Sequence, residues 1–269
     1  MLTVRFYTAF PILAGCIAML AVSTILIPAA TAAMDIELHG FAEYRYGHRT
    51  SDDPFEEDTA LNEFRGQGDL AWFHDLFTAQ FKTDVIYDDQ DDHRDDIDLE
   101  TGDGWLDLRQ ANVLFSPVYW MDVKLGRQVL TWGTGDLVFI NDLFPKDWQS
   151  FFLGRDTEYL KAPSDAIFVS LFPEGINIDI AYMPRFDSDR HITGERISYW
   201  NGMEIAGQNS VLQTERPDEW FDDSELAVRL YRNIGAFEVA AYGYMGYWKS
   251  PGGLNPMTGK WLFPELNVY

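Results

Sequence analysis

The chain contains one cysteine, Cys16, in 269 residues, which rules out an intrachain disulfide. Basic residues are scarce as well: 20 Lys and Arg stand against 43 Asp and Glu, a formal net charge of −23. That balance argues against nucleic acid as a partner, because phosphate binding needs a basic footprint. The five histidines, His39, His48, His74, His93 and His191, lie far apart and make no metal-ligand spacing. No serine sits in a nucleophile elbow, so no catalytic group is nominated and no cofactor is expected. Beyond the first 33 residues no run is apolar enough for a membrane helix.

Those first residues carry Arg5, an apolar run from about Pro11 to Ile27, and the small residues Ala29, Ala30, Thr31, Ala32 and Ala33. This is the layout of an export signal, with cleavage expected after Ala32 or Ala33. Two rivals stay open. Leu13, Ala14, Gly15 and Cys16 fit a lipoprotein box, and the run is also long enough for a retained anchor.

What the remainder has in abundance is aromatic residues, 15% of the chain, and period-two alternation. In 35–47, Ile36, Leu38, Ala42, Tyr44 and Tyr46 share one face, while Glu37, His39, Glu43 and Arg45 share the other. The same pattern predicts strands over 63–73, 77–88, 119–128, 166–172, 176–183, 225–231 and 237–248. The stretch 105–115 keeps one apolar face only if a bulge falls near Arg109 and Gln110. A tenth strand begins at Phe263. The connections alternate in length, long then short, along the whole series. An antiparallel meander with tight turns at one end and large loops at the other predicts an all-β, up-and-down transmembrane β-barrel of the outer membrane of a Gram-negative bacterium. Aromatics at strand ends suit interfacial girdles. A secreted β-sandwich or solenoid with one buried face is the competing reading. Nine full strands and part of a tenth do not close an even-numbered barrel, so 34–269 is expected to be the N-terminal portion of a longer barrel domain.

On the charged face of these strands, Glu43, Arg45, Glu63, Arg65, Asp69, Lys82, Asp84, Arg109, Asp122, Lys124 and Arg229 are expected to line a wet lumen. Opposed rows of charge would sort solutes there, or hold neighbouring strands in register. The long connection 131–165 opens with "TWGTGDLVFINDLFPKDW". It is no Walker loop, since Gly133, Thr134, Gly135 and Asp136 offer an acid where the lysine belongs, and it is no dinucleotide fingerprint, lacking a strand and helix unit. Its Trp132, Asp136, Asn141, Asp142 and Asp147 suit a loop folded inward to narrow a pore, with packing on the rim as the plain alternative. In 88–103 nine acidic residues crowd together. Asp91, Asp92, Asp95 and Asp96 are candidate calcium ligands, or bridges through cations to lipopolysaccharide, although EF-hand spacing is missing. A solvated, repelling loop is the ordinary outcome for such a run.

Gly126-Arg127-Gln128, Trp132-Gly133, Ile140-Asn141, Pro145 and Ala162-Pro163 form a set that resembles a porin-like family of proteobacterial outer-membrane barrels, catalogued as a domain of unknown function. More distantly it resembles alginate-export and phosphate-selective porins. The resemblance covers about residues 119–184 and implies an outer-membrane channel with about twice as many strands and no catalytic residues. The expected partners are outer-membrane lipid, lipopolysaccharide and polar solutes. A non-conducting barrel that binds a surface partner or docks a periplasmic export system is the alternative function.

Overall fold

The structure is a computed structural model that describes residues 35–133, 139 and 141–269. The expected export signal lies outside the described residues, and so do Asp136 and Ile140.

Ten strands form one antiparallel sheet: β1 Asp35–His48, β2 Thr59–His74, β3 Phe77–Asp88, β4 Leu106–Val118, β5 Met121–Val129, β6 Pro163–Leu171, β7 Asn177–Met183, β8 Glu225–Ile234, β9 Phe237–Tyr247 and β10 Glu265–Val268. Each strand pairs with its neighbour in sequence, so the sheet is a plain meander. The sheet is open. Its order ends at β1 and β10, which do not pair with each other among the described residues. The expected alternation of connections holds: residues 75–76, 119–120, 172–176 and 235–236 turn tightly at one end, while 49–58, 89–105, 130–162, 184–224 and 248–264 stand at the other. A five-residue helix, α1 Trp148–Phe152, lies in the third long loop. No described helix is long and apolar enough to cross a membrane, which does not bear on strands.

Register makes the two faces of the sheet chemically different. On one face, Tyr44 pairs with Phe64, Phe64 with Tyr87, Val113 with Leu125, Leu125 with Ile167, Ile167 with Tyr182 and Leu226 with Met245. This apolar face is the exposed one, with Tyr44 at 64% and Val239 at 57%. On the other face, Glu43 pairs with Arg65, Gln67 with Asp84 and Asp179 with Arg229. Here Glu63, Arg65 and Asp84 are 1% exposed or less. A soluble sheet does the reverse, since burying apolar surface is what drives a chain to fold in water.

The bulge anticipated in 105–115 is present. Lys82 pairs with Gln110 and Thr83 with Leu108, which leaves Arg109 as the extra residue of β4. Two sequence boundaries were too short. β2 starts at Thr59 and β6 at Pro163, the first position of a strand being one that proline tolerates because no ladder N–H is lost there.

Candidate functional site: the loop-covered inner face

The charged face is inner in a literal sense, because the long loops fold over it at their own end of the sheet. The third loop contributes most. Its first half lays Trp132 and Phe144 on the inner side of β6–β9, in a cluster with Ala166, Ala181, Met183, Ala227 and Tyr244. Trp132 meets Phe144 edge-on at 4.9 Å and tilts against Tyr242 at 5.9 Å.

Its second half crosses β1 to β4. Arg45 on β1 donates to the carbonyl of Gly154 at 2.9 Å and pairs with Asp156 at 3.2 Å. Arg155 reaches Glu63 at 2.5 Å. Tyr159 lies between two guanidinium groups, Arg65 at 4.6 Å and Arg109 at 4.9 Å from its ring centre. Stacking of this kind is worth more when desolvated, and Tyr159 is 1% exposed. Gln67 donates to the Tyr159 hydroxyl at 3.0 Å and to Asp84 at 2.8 Å, while Arg65 bridges Glu63 at 2.9 Å and Asp84 at 2.6 Å. Arg109 completes the grip through the carbonyls of Lys161 at 2.8 Å and Glu158 at 3.2 Å. Burial, and then the nearby Asp84 carboxylate, push the Tyr159 phenol above its ordinary range.

The fourth and fifth long loops lock the third in place. Arg190 forks onto Asp107 of β4 at 2.9 and 3.1 Å and reaches Asp147 at 3.2 Å. Asp147 is in turn the N-cap of α1, accepting from the Ser150 amide at 2.7 Å. Asp189 accepts from the Lys146 amide at 2.7 Å, from the Trp148 indole at 3.1 Å and from Ser250 at 2.6 Å. Lys249 joins Glu225 at 2.5 Å and the Asp187 carbonyl at 2.9 Å. Burial pulls the Lys146 ammonium down against the opposing pull of Asp142. It also raises the Asp187 carboxyl despite Lys249, and lowers His191, whose Nε2 is buried without a partner.

Several sequence expectations need correction. Glu63, Arg65, Asp84 and Arg109 do not line a wet lumen; they are buried in the ion-paired layer under the loop, because Tyr159 and Arg155 supply the covering that alternation alone does not reveal. Asp142 and Asp147 do not project from the loop: Asp142 holds Thr131 at 2.8 Å and Lys146 at 3.2 Å, and Asp147 caps a helix. Trp132 is packed rather than presented, and Asn141 lies at the edge of the small apolar cavity beside it. The remaining lumen candidates stay partly exposed, Glu43 and Arg45 toward the long loops, Arg229 at mid-strand, and Asp69, Lys82, Asp122 and Lys124 nearer the tight turns. Glu43 pairs with Arg45 at 2.9 Å, Asp69 with Lys82 at 3.1 Å, Arg229 with Asp179 at 3.7 Å and also with Glu238, and Asp122 accepts from Ser116. Lys124 has no carboxylate partner among the described residues. Asp91, Asp92, Asp95 and Asp96 are not gathered around a common point. Asp91 accepts from the His93 amide at 2.8 Å, Asp96 faces the His93 ring at 3.4 Å, and no described group of three or more His, Cys, Asp or Glu is arranged to hold a metal.

Sequence reasoning missed Arg155, Tyr159, Arg190 and Asp107. Asp107 carried a readable signal, since it falls on the charged side of β4. The three loop residues carried none.

No protein-family model matches the chain, and no curated protein matches it in sequence.

Proposed function

We propose that this sheet is part of the wall of an outer-membrane β-barrel, and that the barrel is a channel for hydrophilic solutes with the 131–165 loop as its constriction. The single observation that carries the reading is the inverted polarity: an apolar face exposed across the sheet and a charged face turned inward. Hydrocarbon is the solvent that rewards such a face. From Ile36 to Tyr46 the apolar side of β1 runs about 33 Å at ~3.3 Å per residue, or about 25 Å of height at the ~40° tilt of membrane barrels, which matches an outer-membrane apolar band. Tyr44, Phe64, Tyr87 and Tyr182 stand toward the loops while Trp72, Phe77 and Trp120 stand toward the turns, as interfacial belts do. The acidic 89–105 loop would then meet lipopolysaccharide and its cations outside the cell.

A second reading, a non-conducting barrel serving as a surface scaffold or as the docking partner of a periplasmic export system, draws support from the dry ion-paired layer, which plugs the loop end. Planar-bilayer conductance of the full-length barrel protein decides between them. The channel reading expects discrete steps that grow when the loop is unlatched by Tyr159→Ala together with Arg155→Ala; a folded protein without conductance leaves the scaffold.

A further inference from the structure

The second and fourth long loops leave a polar cavity of about 330 Å³ between them. One wall is the 89–105 loop, with His93, Asp96, Asp98, Thr101 and Asp103. The other is the 184–224 loop, with Ser188, Thr193, Glu195, Gln213 and Thr214. Gln149 of α1 stands at one side, and the buried Asp189 and Arg190 form the floor. The volume falls within the range of small-ligand sites, roughly 300–1,000 Å³. Leu212 is the one apolar residue among those that line it, so the cavity does not suit a greasy body.

Most charges around the cavity are met within the protein. Arg190 is held by Asp107 and Asp147, and Arg216 by Glu100. Among the acids, Asp189 accepts from Lys146, Trp148 and Ser250, Asp98 accepts from the amides of Glu100 and Thr101, and Asp96 faces His93. Asp103 is different. It is partly buried, and no lysine, arginine or histidine lies within ion-pair distance of its carboxylate among the described residues. Burial raises that carboxyl above its ordinary value, against the opposing pull of the Thr101 hydroxyl, Arg190 and His93. A carboxylate that has lost water and gained no fixed cation favours an ammonium brought by a ligand. Across the cavity, the hydroxyls of Ser188 and Thr214 and the side-chain amide of Gln213 make no hydrogen bond among the described residues, which leaves them to the hydroxyls of that ligand. Glu195 at the mouth is exposed and accepts from Thr193 at 3.2 Å.

We propose that this cavity binds an amino sugar, with the ammonium at Asp103 and the ring hydroxyls met by Ser188, Gln213 and Thr214. The site rests on the loops alone and holds whether or not the barrel conducts.

The test uses the full chain folded in a polyoxyethylene detergent, which carries no sugar, at pH 7. Glucosamine is titrated calorimetrically beside glucose, which lacks the charge, and cyclohexylamine, which lacks the hydroxyls. Glucosamine is expected to bind at least tenfold more tightly than either. Asp103→Asn is expected to bring it down to the level of glucose, and Thr214→Val together with Gln213→Leu to the level of cyclohexylamine. Should Asp103→Asn fail to fold, Ser188→Leu, which narrows the cavity from the opposite wall, is expected to lower glucosamine affinity at least tenfold. Equal affinity for the three compounds, no binding to the unaltered protein, or undiminished glucosamine binding in the folded variants overturns the site.

Discussion

The two ends of the inner face are made from the same sequence pattern and end in different physical states. Toward the loops, Glu63, Arg65, Asp84, Asp107 and Arg190 are all but fully buried, with each charge met by a partner. Toward the turns, Lys82 and Asp69 keep about a fifth of their side-chain surface, and the Arg229–Glu238 pair is more open still. Alternation places a charge on a face; what covers that face decides whether the charge becomes part of a core. Desolvation is repaid only where the partner geometry is close and every polar atom is used. The loop end comes close to that condition because two loops supply Arg155, Tyr159 and Arg190 to the strands, leaving Arg109 Nη1 and Arg155 Nε as buried atoms without a hydrogen-bond partner.

The contrast can be broken from its strong side first. Arg65→Ala leaves Asp84 in a dry site with Gln67 alone and Glu63 with Arg155 alone, and is expected to cost ~3–5 kcal/mol, measured by denaturant unfolding of the folded protein in detergent. Tyr159→Ala comes next, at ~3–4 kcal/mol for the lost ring and the cavity it leaves. Tyr159→Phe, which keeps the ring and gives up the bond from Gln67, should cost about 1 kcal/mol. The pair separates packing from hydrogen bonding in the latch: equal losses would mean that the hydroxyl, and not the stacked ring, holds the loop.

His191 gives an intermediate effect with a sign that can be checked. Burial holds its pKa below the ordinary 6.5, opposed by its hydrogen bond to the Asp189 carbonyl and by the charges of Asp189 and Glu195. Below pH 6.5 the unfolded chain therefore binds a proton that the folded chain resists, and stability falls as the pH falls through that window. His191→Gln should flatten this acid-side loss between about pH 6.5 and 5, followed by unfolding midpoints across that range. An unchanged slope would show that His191 is not the group behind the acid sensitivity. The smallest effect belongs to the turn end, where Lys82→Ala is expected to cost under ~1 kcal/mol. A loss as large as that of Arg65→Ala would erase the distinction between the two ends.

Much of this fold was legible in the sequence, for reasons that are local. Period-two alternation over 12 to 16 residues, as in β2 and β3, is strong enough to place a strand and assign its faces. The bulge at Arg109 was legible because the apolar positions change phase there. Strand ends read less well: Thr59–Leu61 extends β2 beyond the last clear alternation, held by its pairing with β1. The covering of the site was illegible. Tyr159 meets Arg65 from 94 positions away in the chain, and Arg190 meets Asp107 across 83; neither leaves a periodic trace. Asp147 could be read as a polar loop residue, but its work as a helix cap depends on a five-residue helix too short to announce itself.

The extra residue in β4 has a consequence for how this chain can change. Before Arg109 the outward positions are Leu106 and Leu108; after it they are Ala111, Val113 and Phe115, so the strand switches from even to odd numbering at that point. Substitutions within β4 leave this phase intact. Removing a single residue at 109 would cancel the bulge and leave a regular alternation, with Leu106, Leu108, Ala111, Val113 and Phe115 still outward and Asp107 and Gln110 still inward, but it would take away one of the two cations that clasp Tyr159. The same irregularity thus adds the hook for a loop without disturbing the apolar surface on either side of it, so at this position the chemistry of the chain is held more tightly than its length.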